Sequence, residues 1–292
     1  MKHLTRLFIV NAICYLALAM VACGQQPAAG PLPAPTKPTA AITPRPVGAT
    51  LAARIAPPPG CVRQPLDTAS FGHYLRHLPL KPPGSPVLCY DGSPKSRQDV
   101  HVAVVNLPIG TRDLHQCADA VMRLRAEYLY RQRRYTDIQF NLTNGFTVNY
   151  GEWMKGKRVA VSGNTTRWVS SAAPSNTPAD LWRYLELVFS YAGTASLAKE
   201  LITKPISMLE IGDVLIQGGF PGHAVIVADI AVNPATGDTY CLLAQSYMPA
   251  QEIHILRNPG AADISPWYQL PESGRIQTPE WSFEARDLKK FP

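Results

Sequence analysis

The stretch Asp213-Val214-Leu215-Ile216-Gln217-Gly218-Gly219-Phe220-Pro221-Gly222-His223-Ala224-Val225-Ile226-Val227-Ala228 decides how the folded part of this chain is read. Two apolar runs flank a Gly/Pro turn, which is the pattern of a β-hairpin. Strands are expected at Asp213 to Gln217 and at His223 to Ile230. A third run, Thr239 to Gln245, follows turn residues at Asn233 to Asp238. Such short connections make the three strands antiparallel neighbours. His223 stands at the lip of a strand whose continuation is pure core, a conspicuous place for a polar ring.

Upstream of this meander the spacing changes to that of helices. Asp113 to Arg131 is the strongest case, with Leu114, Cys117, Val121, Leu124 and Tyr128 on one face. Asp113 followed by Gln116 has the form of a capping box. Pro178 to Leu201 reads as a second helix broken at Gly193, and Ser70 to Leu78 as a short one. Weaker strands are expected at Val87 to Tyr90, His101 to Asn106, Ile138 to Tyr150 around an Asn144-Gly145 turn, and Arg158 to Val161. Helices followed by a meander give an α+β fold, with a helix-borne cysteine packed on an antiparallel β meander.

The first 23 residues read as an export signal. Lys2 and Arg6 supply charge, Leu7 to Val21 is an apolar run, and Ala22 precedes Cys23. A small residue before a cysteine at this place resembles the bacterial lipoprotein cleavage box. Cys23 then carries lipid, such as palmitate, and the membrane is a partner. This puts the protein in a bacterial cell envelope, at the outer membrane if there are two, with its domain in the periplasm or outside. Residues 24–60 hold ten of the 28 prolines and no acid. They cannot bury enough apolar surface to offset the entropy of ordering, so a disordered tether is expected. A single domain is expected over 61–292. The net charge is +7, but no long single-sign run exists, so no nucleic-acid partner is expected.

Six cysteines are present. Cys14 falls in the signal and Cys23 at the lipid site. Export permits disulfides, and Cys61 with Cys89 would close a loop of ordinary size around the first helix of the domain. Cys117 is the candidate nucleophile. It lies in the first turn or so of a helix, where unpaired amides and the helix dipole favour a thiolate, and Arg112, His115 and Arg123 add positive charge nearby. His223 is the candidate base and Gln245 its orienter. Side chains alternate along a strand. A five-residue loop at Asn233 to Gly237 gives pair numbers summing to 470 and puts His223 and Gln245 on one face; a six-residue loop splits them. Trp153, Tyr247, Trp267 and Tyr268 are candidate pocket aromatics for a sugar or peptide, with burial in the core as the plainer alternative. Cys117 equally fits a buried, inert position on its helix.

Other chemistries find little support. His115 and Cys117 diverge by about 200° on a helix, so they do not make a zinc pair. There is no phosphate-binding loop, no dinucleotide fingerprint and no Gly-x-Ser-x-Gly elbow. No metal and no cofactor are expected.

The order of a cysteine at a helix start, a histidine on a strand and an amide on the next strand resembles the papain-like superfamily, in particular its bacterial cell-wall amidase and peptidase branch. Gly212-Asp213-Val214-Leu215-Ile216 with Gly222-His223-Ala224-Val225 is similar to that branch's Gly-Asp strand and histidine strand. Its Gln-x-x-Gly-x-x-Cys run is missing before Cys117, so the resemblance does not assign a second oxyanion donor. The chain also resembles the bacterial DUF4846 family over about Ser70 to Phe291. That resemblance rests on Tyr74-Leu75-Arg76, Leu78-Pro79-Leu80-Lys81, Gln116-Cys117-Ala118-Asp119-Ala120 and Arg123-Leu124-Arg125-Ala126-Glu127-Tyr128-Leu129. It rests further on Gly219 to Val225, Ala244 to Gln251, Ser265-Pro266-Trp267-Tyr268 and Thr278-Pro279-Glu280-Trp281. The papain resemblance implies a cysteine hydrolase of amide bonds, with cell-wall peptides or peptidoglycan as substrate. The rival expectation is a non-catalytic binding or scaffold lipoprotein of the envelope.

Overall fold

The computed structural model describes residues 48–292. The signal, Cys23 and most of the tether lie outside the described residues. Among those described, no helix is long and apolar enough to cross a membrane.

Order begins earlier than the expected boundary at Cys61. Thr50 caps a four-residue helix α1 (Leu51–Arg54), and Leu51 and Ile55 are fully buried. The last part of the Pro-rich stretch is therefore core, because its few large apolar residues have a surface to pack on. There follow β1 (Val62–Arg63), α2 (Phe71–Arg76), β2 (His101–Val104) and α3 (Cys117–Arg131). A hairpin of β3 (Gln139–Asn141) and β4 (Thr147–Asn149) leads into α4 (Tyr150–Met154), then β5 (Lys157–Ser162) and β6 (Thr165–Ser170) pair as a second hairpin. Helices α5 (Pro178–Tyr191) and α6 (Thr194–Glu200) break at Ala192-Gly193, near the expected place. The remaining strands are β7 (Ile202–Thr203), β8 (Val214–Gln217), β9 (His223–Val232), β10 (Thr239–Gln245), β11 (His254–Leu256), β12 (Arg275–Gln277), β13 (Ser282–Glu284) and β14 (Leu288–Lys290).

The main sheet runs β2-β11-β10-β9-β8-β14-β7, with β1 beside the far end of β9. Its pairings are antiparallel. One face presents Ala224, Ile226, Ala228, Leu242 and Ala244 to α3, through Val121 and Leu124. The other presents Val225, Val227, Ile230 and Leu243 to Phe283 and Leu288. A fold of mixed helices and a mostly antiparallel sheet is thus the architecture. Val87 to Tyr90, expected as a strand, forms only isolated bridges, Leu88 with Pro94 and Cys89 with Gln251.

Two local features set the geometry around Cys117 and His223. Helix α3 starts at Cys117, four residues later than expected, because Asp119 rather than Gln116 closes the cap: the Gln116 backbone N–H donates to Asp119 Oδ2 at 3.0 Å. Asp113 instead accepts from the Ala250 N–H at 2.7 Å and ties the helix start to a loop beyond β10. Strand β9 carries a bulge: Leu242 pairs with Asp229 but Leu243 pairs with Val227, so Ala228 is extra. Buried Asp229 beside it accepts from Arg76 Nε at 2.7 Å and from Arg63 Nε at 2.5 Å.

Candidate functional site

The first strand pair of the β9–β10 hairpin is Val232 with Thr239, so its loop has six residues, Asn233 to Asp238. Without correction that loop would put His223 and Gln245 on opposite faces. The bulge at Ala228 supplies one residue and restores the even register, so that Ala244 pairs with Ile226. His223 Nε2 and Gln245 Oε1 are consequently 2.8 Å apart, and both side chains are buried. Around the ring stand Tyr247, Trp281 and Phe283, with centroids at 4.9, 5.3 and 5.9 Å.

Gln245 is itself held from the other end. Its Nε2 donates to Glu280 Oε2 at 2.8 Å and lies 3.2 Å from His254 Nε2. His254 Nδ1 is 2.9 Å from the Glu252 carbonyl. Glu280 forms a buried ion pair with Lys95 at 2.6 Å, and the Lys95 ammonium sits 4.9 Å over the Tyr247 ring. Burial lowers His223 to about 4 and His254 to about 3. For His223 the Gln245 hydrogen bond opposes burial and nearby Lys95 adds to it.

Cys117 is the first residue of α3 and is buried. β10 ends at Gln245, and the backbone N–H of Ala224, the residue after His223, stands against the sulfur. The helix packs on the Ala224 face, whereas His223 and Gln245 belong to the opposite face. Among the described residues, no hydrogen bond joins Cys117 to His223. Burial pushes the thiol up to about 11, with Asp119 adding to the rise; the Ala118, Ala224 and Cys117 amides pull the other way and lose. Two of the three positive charges expected to help, those of His115 and Arg123, are not available to it. His115 is buried and lowered to about 3, chiefly by desolvation, and lies 3.4 Å from the Gln251 carbonyl. Arg123 pairs with Glu127 at 2.8 Å and lies over Trp182. The Cys117 and His223 shifts both favour the neutral forms, thiol and imidazole, near pH 7.

A cleft of about 210 Å³ opens at Cys117. It is lined by the start of α3, the Phe189–Thr194 corner, the Gly219–Gly222 turn and Met248. Phe220 and Met248 stand exposed at its rim. A larger hollow of about 470 Å³ between the Pro82–Pro86 turn and Arg257 contains no cysteine. Gly222 has no room for a side chain. A Cβ there would strike Thr194 Oγ1 and come within 2.7 Å of the Gln217 carbonyl, so the turn itself fills that space.

Several expected residues fall elsewhere. Trp153 and Trp267 are core side chains: Trp153 packs on Tyr184, and Trp267 donates to the Ala56 carbonyl at 2.8 Å. Tyr268 is buried on the opposite core, and of these aromatics only Tyr247 reaches the His223 region. Cys61 and Cys89 are unbridged. Cys61 precedes the strand that pairs at Val232, whereas Cys89 bridges Gln251 at the opposite end of the sheet. Sequence reasoning missed Glu280, His254 and Lys95 as site residues. Glu280 lies in a family motif, but its distance in sequence from Gln245 gives it no role there. Among the described residues no cluster suits a metal ion.

Fold and site together define a class: an α+β domain with a cysteine at the start of its longest described helix and a His–Gln pair at the open end of its sheet. The chain belongs to the family described as domain of unknown function 4846 (DUF4846), whose model matches residues 51–290. No curated protein and no solved structure matches it.

Proposed function

We propose that this protein is a lipid-anchored protein of the bacterial cell envelope whose domain is a papain-like cysteine hydrolase of amide bonds, with cell-wall peptides as the substrate class. The observation that carries this reading is the 2.8 Å contact of His223 with Gln245, next in the chain to Ala224, whose amide acts on the Cys117 thiol. A neutral His223 can take the thiol proton as sulfur attacks a carbonyl. The C–N bond then breaks, the imidazolium returns the proton to the leaving amine, and water hydrolyses the thioester with His223 again as base. The Cys117 backbone N–H, at the first helical position, has no acceptor within the helix and suits an oxyanion. Anchoring rests on the signal-like N-terminus and Cys23.

A binding role without catalysis is favoured by one observation, the burial of Cys117, which pushes its thiol up to about 11. Alkylation by iodoacetamide between about pH 6 and 10 separates the two. In the hydrolase, Cys117 reacts near neutral pH and His223→Ala abolishes that reactivity. In the binding protein, the rate follows only the high thiol value and ignores His223. Hydrolysis of muropeptides and simple acyl-amides by wild type, absent in Cys117→Ala, completes the test. Membrane retention and fatty-acid labelling lost in Cys23→Ala test the anchor.

A further inference from the structure

The amide of Gln245 faces two groups that can only accept. Glu280 is a carboxylate held by the Lys95 ammonium, so its Oε2 accepts a hydrogen bond from the amide and donates none. His254 Nδ1 faces the Glu252 carbonyl, an acceptor, so the ring proton of His254 must sit on Nδ1. The ring is neutral, since burial lowers it to about 3, and its Nε2 is therefore bare and also accepts from the amide. Both acceptors demand the NH₂ end of Gln245. The oxygen end is left for His223, whose Nε2 must then carry the proton. In a neutral ring the other nitrogen, Nδ1, is bare. A bare nitrogen is what a general base requires.

We infer that the buried Lys95–Glu280 pair is the positioning device of the site: it fixes the orientation of the Gln245 amide and thereby the tautomer of His223. This rests on the reading of His223 as the base, and goes beyond it by assigning Glu280 and Lys95 a role neither plays by touching substrate. The charged and titratable groups around His223 and its Gln245 partner are Lys95, Glu280, Tyr247 and His254. Of the two acceptors that hold the amide one way round, Glu280 is the charged and shorter one, at 2.8 Å against 3.2 Å for His254, and so the stronger. The aromatic wall of Tyr247, Trp281 and Phe283 gives the ring no competing acceptor of comparable strength.

The test is ¹⁵N NMR of histidine-labelled full chain in detergent at neutral pH. Wild type is expected to give a protonated Nε2 and a bare Nδ1 for His223, assigned by loss of the signal in His223→Ala. In Glu280→Gln the compulsory acceptor becomes a group that also donates, so the Gln245 amide can turn round. The Nδ1–H form of His223 should gain at least about tenfold in population, the scale set by one charge-assisted hydrogen bond. Lys95→Gln, which frees Glu280, should shift it in the same direction by less. A wild-type ring protonated on Nδ1 overturns the inference. So does an Nε2–H population unchanged in Glu280→Gln. Alkylation of Cys117 in the same variants separates this from the hydrolase reading. A tautomer shift with an unaltered alkylation rate leaves the amide lock standing and removes His223 as the base.

Discussion

His223 Nε2 meets Gln245 Oε1 at 2.8 Å only because β9 is one residue longer than its partner segment. The hairpin loop alone sets an odd register. Ala228 bulges out and reverses it, and Asp229 next to it is clamped by Arg63 and Arg76. The geometry at one end of the hairpin thus depends on an ion cluster in mid-strand.

Asp229→Asn should cost about 3 kcal/mol or more in stability, the scale for removing one partner of a buried ion pair. It leaves the buried Arg76 and the half-buried Arg63 uncompensated. Urea unfolding followed by circular dichroism measures it. A loss below about 0.5 kcal/mol, the range of ordinary surface changes, would mean that the clamp does not hold the bulge.

Gly222→Ala should destabilise by about 1 to 3 kcal/mol, as overpacking does. Its Cβ would strike Thr194 Oγ1 and two backbone atoms of the turn, one of which belongs to strand end Gln217. Because the turn leads directly into His223, the ring signals of His223 should move in NMR spectra of the same variant. Thr194→Gly added to Gly222→Ala should recover part of the loss.

Stability should peak near pH 6.5. His115, His223 and His254 fold with values of about 3, 4 and 3, below the unfolded 6.5, so the unfolded chain gains three protons as pH falls below 6.5. Buried Asp119 and Glu200 fold with values raised to about 8 and 7, so the native chain keeps two protons that the unfolded chain lacks. Between about pH 5 and 6 the net difference is one proton, and stability should rise by about 1.4 kcal/mol per pH unit. Above pH 6.5 the histidines are neutral in both states, and stability should fall as Asp119 and Glu200 ionise. Melting temperature against pH checks this, and Asp119→Asn should flatten the alkaline limb. A maximum above pH 8 contradicts it.

Thiol titration distinguishes the unbridged cysteines. Cys61 is half-buried and should react with Ellman's reagent in the native protein, while Cys89 and Cys241 should react only after unfolding. An intact mass lower by two hydrogens, with Cys61 and Cys89 joined in one peptide, would restore the bridge.

Much of the scaffold was legible because it depends on local pattern. The apolar runs of β8, β9 and β10 and the turn residues between them locate the meander, and β10 begins and ends where its run does. The 3.6-residue spacing locates α3 and α5, and Gly193 marks the break before α6. Strands β11 to β14 were not legible, since each has only three residues and takes its form from neighbours distant in sequence.

What the sequence by itself determined is the residue order, a cysteine near a helix start, a histidine at a strand lip and an amide at the end of the next strand. Only the tertiary structure decided whether these meet, for three physical reasons. Strand parity turns on a single bulged residue, which no periodicity reveals. The state of the thiol turns on burial, which outweighs the helix-terminal amides that the sequence displays. The groups that orient Gln245 come from Lys95, His254 and Glu280, and only chain folding brings such separated donors and acceptors within hydrogen-bond distance.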